Sequence, residues 1–304
     1  MLRINHLTKT YGEKKAVDDL NIHINPGEIY GFIGHNGAGK TTTLKSVVGI
    51  LQFDQGEILI DGKSIQTDPL LGKEFSRFLS SPLYMLNCGL GILLLPIAGG
   101  ALVWKGGTII SVLNSVFGAR AGCTQVLLCA VVCMLASMND TAAPSVSLEG
   151  KTIWLVQSLP VTPWQVLRAK LGVQLILTFV PTLLCFVCLP FIYPYSPLEI
   201  LITAFVLLSN VLLSALFDLF LGLMTANLTW TNEMTPIKQS ASAVFSMLSG
   251  FAYTILLCAG FMLLDGWKLG FTGYMALFGG VTLALCALLW LWLRNKGCSR
   301  FASL

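Results

Sequence analysis

Through the first 77 residues apolar and charged positions alternate at short range, as in a soluble α/β segment. The run GEIYGFIG (Gly27–Gly34) predicts a strand, and KTTTLKSVVGIL (Lys40–Leu51) predicts a helix that closes at Gly49. The run GEILIDGKSI (Gly56–Ile65) predicts a hairpin turning at Asp61-Gly62, because Asp-Gly favours the positive φ angles of a tight hairpin turn. Beyond Arg77 the pattern changes. The stretches 78–104, 121–139, 171–198, 200–217, 239–264 and 269–293 contain no charged residue. A membrane helix needs about twenty mostly apolar residues. Six spans are therefore expected, near 84–104, 121–139, 171–193, 200–224, 241–264 and 271–293. The uncharged segment 106–119 is too short, and its Gly106-Gly107 start predicts a loop or interfacial piece. The expected fold is an α/β lobe over 1–72, a junction or interfacial helix over 73–83, and an all-α polytopic membrane domain of about six transmembrane helices over 84–304.

Composition sharpens the boundary. The chain has 304 residues, 55% hydrophobic and only 11% charged, outside the range of an ordinary soluble domain. Residues 1–78 carry nine Lys/Arg and nine Asp/Glu, and the remainder carries ten and six. No early apolar run precedes the charged N-terminal region, so a cleavable signal is not expected and this region stays in the cytosol. With six spans, the inner segments 1–83, 140–170, 225–240 and 294–304 hold sixteen Lys/Arg, against Lys105, Arg120 and Lys268 outside. That bias predicts a multi-pass cell-membrane protein with both termini cytosolic. If the second span failed to cross, every later loop would invert.

The chemistry lies in FIGHNGAGKTTTLK, starting at Phe32. Gly34, Gly39, Lys40 and Thr41 fit G-x-x-x-x-G-K-[ST], a phosphate-binding loop. In such a loop consecutive backbone N–H groups wrap a phosphate and a helix N-terminus adds its positive dipole end. The candidate nucleotide contacts are Gly34, His35, Asn36, Gly37, Ala38, Gly39, Lys40 and Thr41, with Thr41 also the magnesium ligand. The expected cofactors are ATP and Mg2+.

Other features read more plainly. Cys185 and Cys188 form C-x-x-C, but no histidine or second pair stands nearby, so they read as small apolar residues of a membrane helix. Asp218 lies inside the fourth span, where a carboxylate is costly. It could line a substrate path, pair with a neighbouring helix, or sit near enough to the interface to be hydrated. Pro96, Pro181 and Pro190 are expected to kink their helices.

Residues 1 to about 72 resemble the start of an ABC-transporter ATPase subunit, on the segment LTKTYGEKKAVDDLNIHINPGEIYGFIGHNGAGKTTTLKSVVGILQFDQGEILIDG. The resemblance implies that Tyr11 stacks on adenine and that Thr42 is a second phosphate-contacting hydroxyl. From about Phe75 to Leu304 the chain resembles the later half of a type-2 ABC permease, chiefly on SVSLEGKTIWLVQSLPVTPWQVLRAK (Ser145–Lys170). That segment predicts a short helix, a turn at Pro160–Pro163 and a second helix entering the membrane. It either docks on an ATPase domain or lies on the membrane surface. The resemblance also shows what is absent: a truncated P-loop nucleotide-binding lobe lacks the glutamine loop, LSGGQ-type signature, Asp-Glu strand and switch histidine. MLSGFA (Met247–Ala252) lacks the second Gly and the Gln, and all three histidines (His6, His23, His35) precede Lys40. The strand before the loop normally pairs with strands from the missing part. The leading reading is an ABC-transporter component that couples ATP binding to export and is hydrolysis-deficient by itself. The rivals are a non-hydrolytic permease-like subunit that needs a separate ATPase, and a non-functional deletion fusion. Expected partners are membrane lipid and a complete ABC ATPase subunit or another permease copy, with no nucleic acid.

Overall fold

The computed structural model describes residues 1–35, 37–48, 51, 53–64, 69–117, 122–158, 161–263 and 266–304. Two compact units emerge: Met1–Ser76 with Leu155–Ala169, and Arg77–Trp154 with Lys170–Leu304.

The first unit holds strands β1 (Leu2–Tyr11) and β2 (Lys14–Ile24), helix α1 (Lys40–Val47), strands β3 (Gln55–Ile60) and β4 (Lys63–Ser64), and the start of helix α2 (Pro69–Ser80). The sheet is antiparallel, in the order β2-β1-β3-β4. Its core is Ile4, Leu7, Val17, Ile22 and Ile58. Ile4 and Leu7 both bury, although strict alternation would place residues three apart on opposite faces. A bulge resolves this: the pairing shifts between Ile4 and Leu7, and His6 adopts φ 52°. Gly56 sits opposite with φ 102°, where a Cβ would stand 2.4 Å from the His6 carbonyl oxygen. The predicted hairpin is present, with Asp61 and Gly62 at φ 49° and 76° between Ile60 and Lys63.

The expected strand Gly27–Gly34 does not form. Residues 28–35 have no regular structure, and Ile29 and Ile33 are exposed while Phe32 packs on the core. A strand is held by the ladder of a neighbour, and none of the four strands offers this segment one. The predicted helix forms over Lys40–Val47 and is capped by Val48, and Gly49 lies outside the described residues.

The second unit is helical: the end of α2, then α3 (Pro82–Cys88), α4 (Leu90–Phe117), α5 (Cys123–Ala136), α6 (Ala142–Ser145), a 3-10 turn (Ser147–Thr152), the start of α7 (Ile153–Ser158), most of α8 (Pro163–Cys188), α9 (Pro197–Met224), α10 (Met234–Lys238), α11 (Ala241–Leu263) and α12 (Gly266–Trp292). Among the described residues five helical stretches are long and apolar enough to cross a membrane: Leu90–Ser115, Pro163–Phe191, Pro197–Met224, Met234–Leu263 and Lys268–Ala302. On α8 the face bearing Ile176, Phe179, Val180, Leu183, Leu184 and Val187 is exposed, whereas Gln174, Thr178 and Thr182 are buried. Apolar side chains outward and polar ones inward suit a lipid surround. Helix α9 shows how the sequence sets an end. Ser196 accepts from the Glu199 N–H, the Glu199 carboxylate accepts from the Ser196 N–H, and Pro197 takes the first turn.

Three expectations need correction. The second expected span, 121–139, is the 14-residue helix α5, about 21 Å long at 1.5 Å per residue. Gly122 at φ 83° starts it late, and its backbone turns out of the helix after Ser137. The segment 106–117 is helix rather than loop, because α4 continues past a break at Lys105 (φ −120°, ψ 18°). Pro190 ends α8 in a short 3-10 turn rather than kinking it, whereas Pro96 and Pro181 lie inside helices. The turn expected at Pro160 falls outside the described residues, and the second helix of that segment starts at Pro163.

Candidate functional site

The first turn of α1 exposes its backbone N–H groups, since no side chain caps them and the first N–H groups of a helix have no partner within it. Gly39 precedes it in the left-handed region (φ 76°, ψ 0°). A Cβ on Gly39 would stand 2.3 Å from the Ala16 carbonyl oxygen of β2, so glycine is required by both angle and space. The chain then turns inward. Thr43 is buried, and its N–H and hydroxyl both donate to the Gly39 carbonyl, at 2.8 and 3.0 Å. Ser46, also buried, donates to the Thr42 carbonyl at 3.0 Å. These contacts leave Thr41 and Thr42 at the helix mouth.

Lys40 folds back over the loop. Its Nζ donates to the Gly34 carbonyl and, at 2.8 Å, to the His35 carbonyl. Ala38 N–H donates to His35 O at 3.2 Å, closing a turn between them. Asn36 lies outside the described residues.

A cavity of about 340 Å³ opens here, lined by Tyr11, Lys14, Ala16, Gly37, Ala38, Gly39, Lys40, Thr41 and Thr42. Seven of the predicted contacts thus meet in one place. Gly34 and His35 enter through the carbonyls that hold Lys40. Lys14 and Ala16 escape a motif reading. Their signal is the two-residue turn in TYGEKK, which pairs Tyr11 with Lys14 across β1 and β2. The Lys9 ammonium stands 5.8 Å from the Tyr11 ring centroid, a cation–π contact. Lys9 also donates to Asp54 at 2.8 Å, and the Thr10 N–H donates to the same carboxylate at 2.7 Å. These bonds hold the Asp54 carboxyl well below its usual range, Lys9 first and Thr10 next. Asp54 is thereby committed to β1, and among the described residues no carboxylate lines the cavity.

In the second unit Asp218 is buried and partnered: Gln174 Nε2 of α8 donates to its Oδ2 and the Ser246 hydroxyl of α11 to its Oδ1. Of the three readings of this residue, pairing with neighbouring helices is the one observed. The nine cysteines are free thiols, and Cys188 donates to the Leu184 carbonyl within its own helix. Among the described residues no three of His, Cys, Asp and Glu gather as for a metal ion.

Comparison with known proteins finds similarity in the N-terminal region. The ABC transporter family matches residues 17–83. The bacitracin transport ATP-binding protein BcrA of Bacillus licheniformis is 47% identical over 64 residues, 21% of each chain. The lipopolysaccharide export system ATP-binding protein LptB of Haemophilus influenzae is 46% identical over 70 residues, 23% of this chain and 29% of its own. Nod factor export ATP-binding protein I of Paraburkholderia xenovorans is 47% identical over 64 residues, 21% of each chain. The chain spans between a fifth and three tenths of the length of these relatives. No solved structure matches it. Residues 17–83 thus match the ABC transporter family, and helices of membrane length follow them in the chain.

Proposed function

We propose that this protein is an ABC-transporter component that binds ATP with magnesium at the α1 loop, is linked to export through a permease-like membrane domain, and does not hydrolyse ATP by itself. One observation carries the reading: the cavity joins the exposed first turn of α1, Lys40 and two threonine hydroxyls to an aromatic ring, with no carboxylate in its described lining. The open N–H groups and the helix dipole suit a phosphate. Tyr11 across the cavity suits a base. Binding requires the Lys40 ammonium to leave the Gly34 and His35 carbonyls for phosphate oxygens, an exchange of like for like in charge-assisted hydrogen bonds.

The residues present fit magnesium as phosphate sites usually hold it. The Thr41 hydroxyl would supply one protein ligand, and phosphates and water the rest. When bound, the ion would neutralise phosphate charge. Hydrolysis further needs a positioned water, a base-like carboxylate and charge stabilisation around the transferred group. This segment supplies Lys40 and Thr41 alone. Two copies would bring two loops and no signature sequence, so self-association does not complete the site. The export named in LptB and in the Nod factor protein supports the export role, and BcrA is named for bacitracin transport. A complete ATPase subunit or a second permease-like chain is the partner that would supply turnover.

The test is photolabelling of detergent-purified protein with an azido-ATP in magnesium. Wild type is labelled and Lys40→Ala is not. Equal labelling of both would remove the assigned site.

A further inference from the structure

A buried polar cluster lies where the connection between α5 and α6 meets α8, α9 and α11. Asp218 of α9, 1% exposed, and Asp140 of the connection are its two carboxyl groups. Gln174 ties them together. Its Nε2 donates to the Asn139 carbonyl at 2.7 Å and to Asp218 Oδ2, and its Oε1 accepts from the Ala142 N–H at 2.8 Å. The Ser246 hydroxyl donates to Asp218 Oδ1, and the Cys88 thiol stands beside the Asp140 carboxyl. Among the described residues neither carboxylate has a Lys, Arg or His nitrogen within ion-pair distance. The buried ammonium of Lys170 is already bonded to Glu149 at 2.8 Å and to the Ser145 carbonyl at 3.0 Å.

The cluster also holds buried polar atoms with no protein partner: Asn139 Oδ1 and Nδ2, Asp140 Oδ1, Thr141 Oγ1 and Thr178 Oγ1. Asn139, Thr141 and Thr178 are each at most 1% exposed. Thr178 lies one turn beyond Gln174, on the same face of α8. Native interiors rarely leave so many polar atoms without a partner in one spot. Four of the five are oxygens, and two carboxyl groups accompany them. Carboxylate, hydroxyl and amide oxygens are the donors a hard cation takes.

We propose that this cluster binds one Na+, with Asp140 and Asp218 supplying the charge and Asn139, Thr141 and Thr178 supplying neutral oxygens. The site is independent of the nucleotide reading, since every residue in it belongs to the second unit. A Na+ seated there gives the carboxylates their counter-charge and locks the α5–α6 connection against α8, α9 and α11.

The experiment is thermal unfolding of the purified full chain in detergent, titrated with NaCl against choline chloride at constant ionic strength. Wild type and Lys40→Ala both gain Tm saturably with Na+. Asp218→Asn and Asp140→Asn lose the Na+ response. Thr178→Val, which removes one neutral ligand and no charge, folds and shifts the half-saturating Na+ upward. Equilibrium binding of radioactive Na+ gives one ion per wild-type chain. Identical unfolding in NaCl and choline chloride, or a Thr178→Val response equal to wild type, would overturn the site. A Tm that rises on acidification without any Na+ effect would do the same, and would assign protons to the two carboxylates.

Discussion

Two buried charges decide how the connection after α6 is held. Glu149 accepts from Lys170 at 2.8 Å and from Arg77 at 2.8 Å, and its side chain and that of Lys170 are at most 1% exposed. Burial pushes the Glu149 carboxyl up, but the charge of Lys170 and the Arg77 bond outweigh it and hold the carboxyl well below its usual range. A depressed carboxylate contributes stability that is fully present above its unfolded value, near 4.3, and is lost as pH falls below it. Thermal unfolding between pH 7 and pH 3 therefore shows a loss of Tm below about pH 4.3 that is larger in wild type than in Glu149→Gln. At pH 7 the same substitution leaves Lys170 buried without its counter-ion and costs about 3–5 kcal/mol. A pH profile identical in the two proteins would remove the pair from this role. Gly39→Ala addresses the other unit. Its Cβ collides with the Ala16 carbonyl and its φ is unfavourable, so it abolishes azido-ATP labelling although Lys40 remains.

Helix α5 is the element on which topology turns. Its 14 residues reach about 21 Å, short of the roughly 30 Å hydrocarbon core. With α5 crossing, six passages return the C-terminus to the side of the N-terminus. Without it, five leave the C-terminus opposite. The Lys/Arg bias favours six, and places Ser303 inside and Pro194, between α8 and α9, outside. Impermeant thiol labelling of intact cells, in a background without the native cysteines, reaches Pro194→Cys and spares Ser303→Cys; labelling at Ser303 would show that α5 does not cross. The limits of the sequence are physical and sit in such elements. The long apolar helices and the Asp61-Gly62 hairpin were legible because length and turn chemistry are local. The shortness of α5 was not, since a late start at Gly122 and an early end after Ser137 leave the surrounding sequence just as apolar. The extension of α4 past Gly106-Gly107 was hidden because the two glycines suggested a break, and the break falls at Lys105. At the site, the loop glycines, Lys40 and Thr41 followed from spacing, and Tyr11 and Thr42 from the family resemblance. The failure of Gly27–Gly34 to form a strand was not legible, because the run itself reads as a strand and only a neighbour's ladder decides whether it pairs.

Along the chain of the molecule as a whole, the proposed nucleotide cradle precedes the membrane-length helices, and among the described residues no carboxylate lines its cavity. Losing one transition-state donor costs on the order of 2.7–4 kcal/mol, and here several elements are absent together. Binding without turnover is the resulting expectation, and a complete ATPase partner brings its own hydrolytic residues. Phosphate release by the purified protein reconstituted in lipid, at saturating ATP and magnesium, tests this most directly. Wild type releases no more phosphate than Lys40→Ala, while only wild type photolabels. Robust hydrolysis that depends on Lys40, by this chain alone, would contradict it.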